Sequence, residues 1–214
     1  MLTVWGRRTS INLQAVMWTI AELGLKCRRI DAGFIYGVND TPEFLAMNPN
    51  GLVPVLKDGD DEPLFESAAI VRYLASRYGT GPFWPDDLSA RAQVDKWAEW
   101  SKVTVAALFL DRIFVPLIRT PSAKRNAKSI AEAVALLMKR LAIAEAQFGK
   151  HDFLAGNDLT VADIMFGQLL YRYYDLDIER ADLPKLKAYY ARLCERHAYR
   201  EHVMVNFDEV RVKS

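Results

Sequence analysis

The sequence is poor in the residues that staple or metallate a fold. It has two cysteines in 214 residues, Cys27 and Cys194, far apart and in no Cys-x-x-Cys or zinc-ligand spacing, which excludes a disulfide framework and a zinc ribbon and leaves two structural thiols. It has three histidines, His151, His197 and His202, with no ligand spacing and no paired carboxylates beside them, so no metal site is expected. An excess of either charge is also missing, with 28 basic against 27 acidic residues. A nucleic-acid binder usually needs a clustered basic face to replace phosphate counterions, so no nucleic-acid partner is expected. Long apolar runs are missing too. The best, Val103 to Leu110, ends at Asp111–Arg112 and falls well short of the roughly 20 residues of a membrane span. Met1-Leu2-Thr3-Val4-Trp5 turns polar at Arg7-Arg8 and forms no signal-peptide core, so a cytoplasmic protein is expected.

What is present is ordinary globular composition, 51% hydrophobic and 26% charged, in a chain long enough for two small domains. The first part alternates in type. Leu2 to Trp5 is an apolar strand. Ile11 to Leu23 has helical apolar spacing stopped by Gly24, and Cys27 to Asp31 is a second strand. Thr41-Pro42-Glu43 opens a short helix with an N-cap and a proline at its first position. Val53 to Leu56 and Pro63 to Phe65 form a hairpin around Asp58-Gly59-Asp60-Asp61, and Ser67 to Tyr78 is a helix stopped at Gly79. The order β-α-β-α-β-β-α predicts a mixed sheet with helices packed on it.

Residues 79–86, rich in glycine and proline, read as a linker, and the strand signal ends there. Ile130, Val134, Leu137, Leu141, Ala144 and Phe148 recur at spacings of 4, 3, 4, 3 and 4, the stripe of a helix in a bundle core. Further helices are predicted over 88–117, 161–174 and 183–196. The division is therefore an α/β domain, 1–80, followed by an all-helical domain, 87–214. Thr160-Val161-Ala162-Asp163 is a Thr-x-x-Asp capping box, a folding element that satisfies two backbone amides.

Asn48-Pro49-Asn50-Gly51-Leu52-Val53-Pro54-Val55-Leu56 carries the most information. A proline at the start of a strand donates no ladder hydrogen bond. A cis Val53–Pro54 bond would turn the Val53 amide and carbonyl outward to pair with an extended peptide ligand. On spacing alone a trans proline at a sheet edge is the commoner arrangement, since cis accounts for about 5–6% of X–Pro bonds. Ser67 stands where a helix begins, either as a simple cap or with the free amides as an anion site. Ser10 and Asn12 lie in the turn from the first strand into the first helix, as cap and surface residue or as donors to a ligand.

The Asn-Pro-x-Gly-x-Val-Pro-x-Leu string resembles a signature of the glutathione transferases. So does Leu64-Phe65-Glu66-Ser67-Ala68-Ala69-Ile70-Val71-Arg72-Tyr73-Leu74, and with Thr160 to Ile164 the resemblance runs from end to end. It is nearest to a bacterial branch that begins Trp-Gly-Arg-x-x-Ser-x-Asn. It implies a thioredoxin-like glutathione-binding domain, an all-α electrophile-binding domain, a homodimer, and a role in detoxification with glutathione as co-substrate. It also implies a cis Val53–Pro54 bond, glutathione contacts from Asn50, Val53, Pro54, Glu66 and Ser67, and a thiolate stabilised by Ser10 and Asn12. Such a donor is needed because a free thiol, pKa about 8.5, is mostly protonated at pH 7. The turn has neither tyrosine nor cysteine, which weighs against tyrosine- and cysteine-type chemistry. Phe109, Arg112, Ile113 and Pro116 are the expected electrophile face of the long helix, with Arg112 suiting an anion. Conjugation to small electrophiles is the leading activity. Glutathione-dependent reduction of peroxides or disulfides, and a non-catalytic binding protein, are the alternatives.

Overall fold

The computed structural model describes residues 1–212. Its first part is a four-stranded sheet in the order β2-β1-β3-β4, with β1 Leu2–Trp5, β2 Cys27–Ile30, β3 Val55–Asp58 and β4 Leu64–Phe65. Strand β1 runs parallel to β2, Leu2 facing Cys27, and antiparallel to β3, Trp5 facing Val55. Helices α1 Ile11–Glu22 and α2 Pro42–Met47 stand between these strands, and α3 Ser67–Tyr78 follows β4. Helices α1 and α3 pack on each other. Phe44 of α2 joins Ala32 and Val55 in a separate small cluster. This is the thioredoxin-like arrangement that the resemblance implies.

Local chemistry sets the boundaries. Ser10 caps α1 and Thr41 caps α2, each accepting a backbone N–H, and proline occupies the first turn of α2. Gly24 ends the first helix at φ +65°, a conformation open to glycine at little cost. The expected strand over Val53–Leu56 starts later, at Val55, after Pro54, which has no N–H to give the ladder.

The second part is helical. Helix α4, Leu88–Glu99, continues without a break through two π-helical stretches, Trp100–Ala106 and Leu110–Phe114, separated by α5, Ala107–Phe109, and closed by α6, Val115–Ile118. Then come α7 Ala127–Phe148, α8 Val161–Gly167, α9 Leu170–Asp175, α10 Pro184–Glu195 and α11 His197–His202. The expected helix over 161–174 is thus two, and α11 was not foreseen. The α7 stripe is buried as its spacing predicts, from Val134 through Phe148. The linker aromatics Phe83 and Trp84 are buried in the core.

One apolar cluster spans both parts. Trp18 of α1 is fully buried and meets the Tyr199 ring edge-on at 4.8 Å. Burying a large apolar side chain contributes about 1.5–3 kcal/mol. Gly167 makes the approach possible: a Cβ there would come within 2.9 Å of the Trp18 ring and 2.7 Å of Leu193. Ion pairs tie the same seam. Arg196 donates to Glu22 from Nε at 2.7 Å and Nη2 at 2.6 Å, and Trp18 Nε1 donates to the same carboxylate at 2.8 Å. Arg72 of α3 binds Asp95 and Glu99 of α4.

Candidate active site

Asn12, Ser67 and Lys102 meet between the two parts. Lys102 Nζ donates to Asn12 Oδ1 at 2.7 Å and to Ser67 Oγ at 3.0 Å, and Ser67 Oγ donates to Asn12 Oδ1 at 3.2 Å. An ammonium has donors only, so the Asn12 oxygen must face it. The Asn12 Nδ2 group then points away as a free donor pair, with no acceptor among the described residues. Burial pulls the Lys102 ammonium below its ordinary range, against the opposing charges of Glu66 and Glu99. Sequence alone gave no sign of Lys102: a lysine in an amphipathic helix looks solvated.

Ser67 is the first residue of α3 and is 2% exposed, but it does not cap the helix. Its hydroxyl is spent on Asn12 and Lys102. The cap position belongs to Glu66, whose side chain makes no capping bond, so the first amides of α3 keep their anion-binding capacity. Glu66 is exposed and sits at φ +68°. For a non-glycine residue that costs about 1–3 kcal/mol and is typical of functional turns.

Val53 lies beside this corner. The Val53–Pro54 bond is cis, and the Val53 amide and carbonyl have no backbone partner among the described residues. Asn48 builds the preceding turn, donating from Nδ2 to the Leu52 carbonyl at 2.8 Å and accepting at Oδ1 from the Asn50 backbone and side chain. The Asn50 amide therefore points back into its own loop.

Ser10, buried at the start of α1, accepts from Leu13 N–H at a long 3.4 Å, and its own proton remains available to donate. Ser10 and Asn12 line a cavity of about 200 Å³ together with Leu110, Asp111, Phe114 and Arg172. The expected electrophile face is displaced. Phe109 and Ile113 are fully buried in the core, and Arg112 is exposed and outside the cavity lining. Leu110, Asp111, Phe114 and Val115 face the cavity instead. The two π-helical stretches, with more residues per turn than an α-helix, rotate these side chains away from the positions a regular α-helix gives them. Arg7, Arg119 and Arg172 also reach the cavity. Arg7 stands in the turn that the sequence marks out, and Arg172 is a lone cation within an apolar helical stretch, whereas Arg119 has no local signal. Among the described residues no cluster of His, Cys, Asp or Glu could hold a metal ion, and no helix is long and apolar enough to cross a membrane.

Comparison with known proteins agrees with this geometry. The family model of the glutathione S-transferase N-terminal domain matches residues 1–76, and that of the C-terminal domain matches 105–197. Glutathione S-transferase GstB of Escherichia coli is 37% identical over 96% of this chain and 99% of its own. Glutathione S-transferase F10 of Arabidopsis thaliana is 33% identical over 76% of each. Among solved structures, the theta class glutathione S-transferase of Xanthomonas axonopodis pv. citri with glutathione bound superposes with a TM-score of 0.89 at 40% identity, covering 96% of this chain and 98% of that one. With both halves matched and full-length relatives well above 30% identity, the chain belongs to the glutathione S-transferase family and is an enzyme of the transferase class.

Proposed function

We propose that the enzyme joins the sulfur of glutathione to small electrophiles, by addition or by displacement of a halide. The domain of residues 1–80 binds glutathione and that of residues 87–214 supplies most of the electrophile pocket. The observation that carries this is the lock on Asn12. With Oδ1 held by Lys102 and Ser67, its Nδ2 is left as a donor beside Ser10 at the wall of the cavity.

In this reading the γ-glutamyl carboxylate lies on the α3 amides, that of Ser67 among them, and on the third proton of the Lys102 ammonium, and Glu66 faces the γ-glutamyl ammonium. The unpaired Val53 N–H and C=O hold the cysteinyl backbone as an added strand past Pro54. Asn50 supplies the loop below it. The thiol then sits at the N-terminus of α1, where Ser10 Oγ–H and Asn12 Nδ2–H donate to the sulfur and the helix dipole favours the anion. The thiolate attacks an electrophile held against Leu110 and Phe114. A cytoplasmic homodimer fits this reading. Leu88 and Val103, exposed on the helical part, leave apolar surface for a second copy.

The pKa of bound glutathione, followed by the ultraviolet absorbance of the thiolate, tests the assignment. Asn12→Ala and Ser10→Ala should each raise it by about one unit, ~1.4 kcal/mol of lost stabilisation, with a matching fall in turnover at pH 7. A thiol pKa unmoved by either substitution, in folded protein that still binds glutathione, refutes the roles of both residues.

A further inference from the structure

The cavity beside Ser10 gathers three guanidinium groups with no carboxylate paired to them. Arg172 of α9 is 3% exposed. Its Nη2 donates to the Thr9 carbonyl at 2.6 Å, and its enclosed Nε has no acceptor among the described residues. The group lies 4.6 Å over the Phe114 ring and 5.5 Å over Phe207. Arg7 and Arg119 both lie over the Phe34 ring, at 5.5 and 5.0 Å, and the Arg7 Nε is likewise enclosed without a partner. None of the three takes part in an ion pair among the described residues. Two acidic groups are near. Asp111 is an exposed residue of the cavity wall. Glu209 is occupied by neutral donors, Thr9 Oγ1 at 2.5 Å and Tyr36 OH at 3.2 Å.

A buried guanidinium with empty donors is unfavourable unless a partner arrives with the ligand. Burial, and then the neighbouring Arg7, holds the Arg172 guanidinium below its ordinary range, so an anion entering the cavity relieves both effects. The position of the cluster matters as well. Arg172 is bonded to the residue immediately before Ser10, at the sulfur end of the site rather than at the γ-glutamyl corner.

We infer that the cavity takes a small electrophile bearing a carboxylate, which Arg119 and Arg172 grip while its reactive carbon faces the sulfur at Ser10 and Asn12. The inference rests on the glutathione reading above. Thiolate and carboxylate repel each other in solution, and the guanidinium groups remove that repulsion, an advantage that a neutral electrophile does not gain. In a 2-haloalkanoate the sulfur forms a C–S bond at carbon 2 while the C–halogen bond breaks. The halide leaves with the bonding pair, the carboxylate is unchanged, and the product is an S-carboxyalkyl glutathione.

Two conjugates of nearly equal size test this, S-carboxymethylglutathione and S-carbamoylmethylglutathione, which differ in one charge. Calorimetry on the full-length protein should find the carboxymethyl conjugate bound at least ~10-fold more tightly, as expected for charge-assisted hydrogen bonds. In Arg119→Gln, a change at an exposed position, the preference should fall to within about threefold. Initial rates with iodoacetate and iodoacetamide, corrected for the uncatalysed reaction, should divide in the same way. Equal affinity of the two conjugates for the unaltered protein overturns the inference and leaves glutathione binding standing. A loss of affinity in Arg119→Gln that is equal for glutathione and both conjugates places the guanidinium on the glycyl carboxylate and also overturns it. If neither conjugate nor glutathione binds, the glutathione reading fails and takes this inference with it.

Discussion

Replacing Asp163 with asparagine sets burial against hydrogen bonding at a single carboxylate. Asp163 is completely buried and accepts four hydrogen bonds: from Leu154 N and Tyr189 OH at Oδ1, and from Thr160 N and Thr160 Oγ1 at Oδ2, all between 2.9 and 3.0 Å. Burial raises its pKa from 3.8 to about 6 in spite of these donors. Between those values the folded chain keeps a proton that the unfolded chain has released, so stability falls as pH rises through the interval. About two units at 1.36 kcal/mol each make that loss roughly 3 kcal/mol. Asparagine has the same shape and no charge. It turns an NH2 toward one of the two backbone amides and leaves it unpaired, a cost of about 1–3 kcal/mol that does not vary with pH. The penalty of Asp163→Asn should therefore be full near pH 4 and shrink by about 3 kcal/mol by pH 7, becoming small or changing sign. Urea unfolding followed by tryptophan fluorescence, for both proteins across this range, measures the difference directly. Other titrating groups, such as Asp58 with its lowered pKa, cancel in that difference. A penalty independent of pH, or one that grows toward neutrality, would show that the four donors outweigh burial and would refute the reasoning.

Lys102→Met should raise the Kd of glutathione on the order of tenfold by calorimetry, since one charge-assisted contact is lost; an unchanged Kd would remove Lys102 from the γ-glutamyl site. Ser67→Ala should weaken glutathione similarly, because Asn12 and Lys102 lose the hydroxyl that positions them; an unchanged Kd would remove that hydroxyl from the site. Glu22→Gln should destabilise the protein by about 1–3 kcal/mol, because Arg196 and Trp18 lose a shared charged acceptor; a melting temperature equal to the parent's would show that the pair is inert. Sedimentation at micromolar concentration should give a particle of twice the 24.3 kDa chain, and a monomer would rule out the homodimer.

The sheet and its helices were legible because their signals are local: alternation over Leu2–Trp5, the Gly24 stop, Thr41-Pro42 at the start of a helix. The ligand-binding corner was legible through the strings around Pro54 and Ser67. Lys102, Arg119 and Glu209 were not, because their meaning comes from partners that the fold brings together. Lys102 reaches Asn12 across 90 positions and Thr9 reaches Glu209 across 200. The cavity face of the long helix was misplaced for a different reason, since nothing local distinguishes a π turn from an α turn in Trp100–Phe114. The break after Gly167 has no proline to announce it, and Gly167 itself is explained by the Trp18 ring and Leu193 lying against it.

That contact between Trp18 and Gly167 bears on how such a protein can be taken apart. The sequence changes character at residues 79–86, which invites exchanging the two parts between relatives at that point. The physical joint lies elsewhere, along α1, where an indole ring occupies the space left by an absent side chain, beside the carboxylate shared with Arg196. A chimera cut at the linker would inherit one side of each contact. A donor with alanine in place of Gly167 would push against the indole from the far half of the chain, through a helix that also carries the thiol-facing turn. The portable unit is therefore a set of matched positions, Trp18 with Gly167 and Glu22 with Arg196, and recombinants that keep both pairs should fold where those that split them fail.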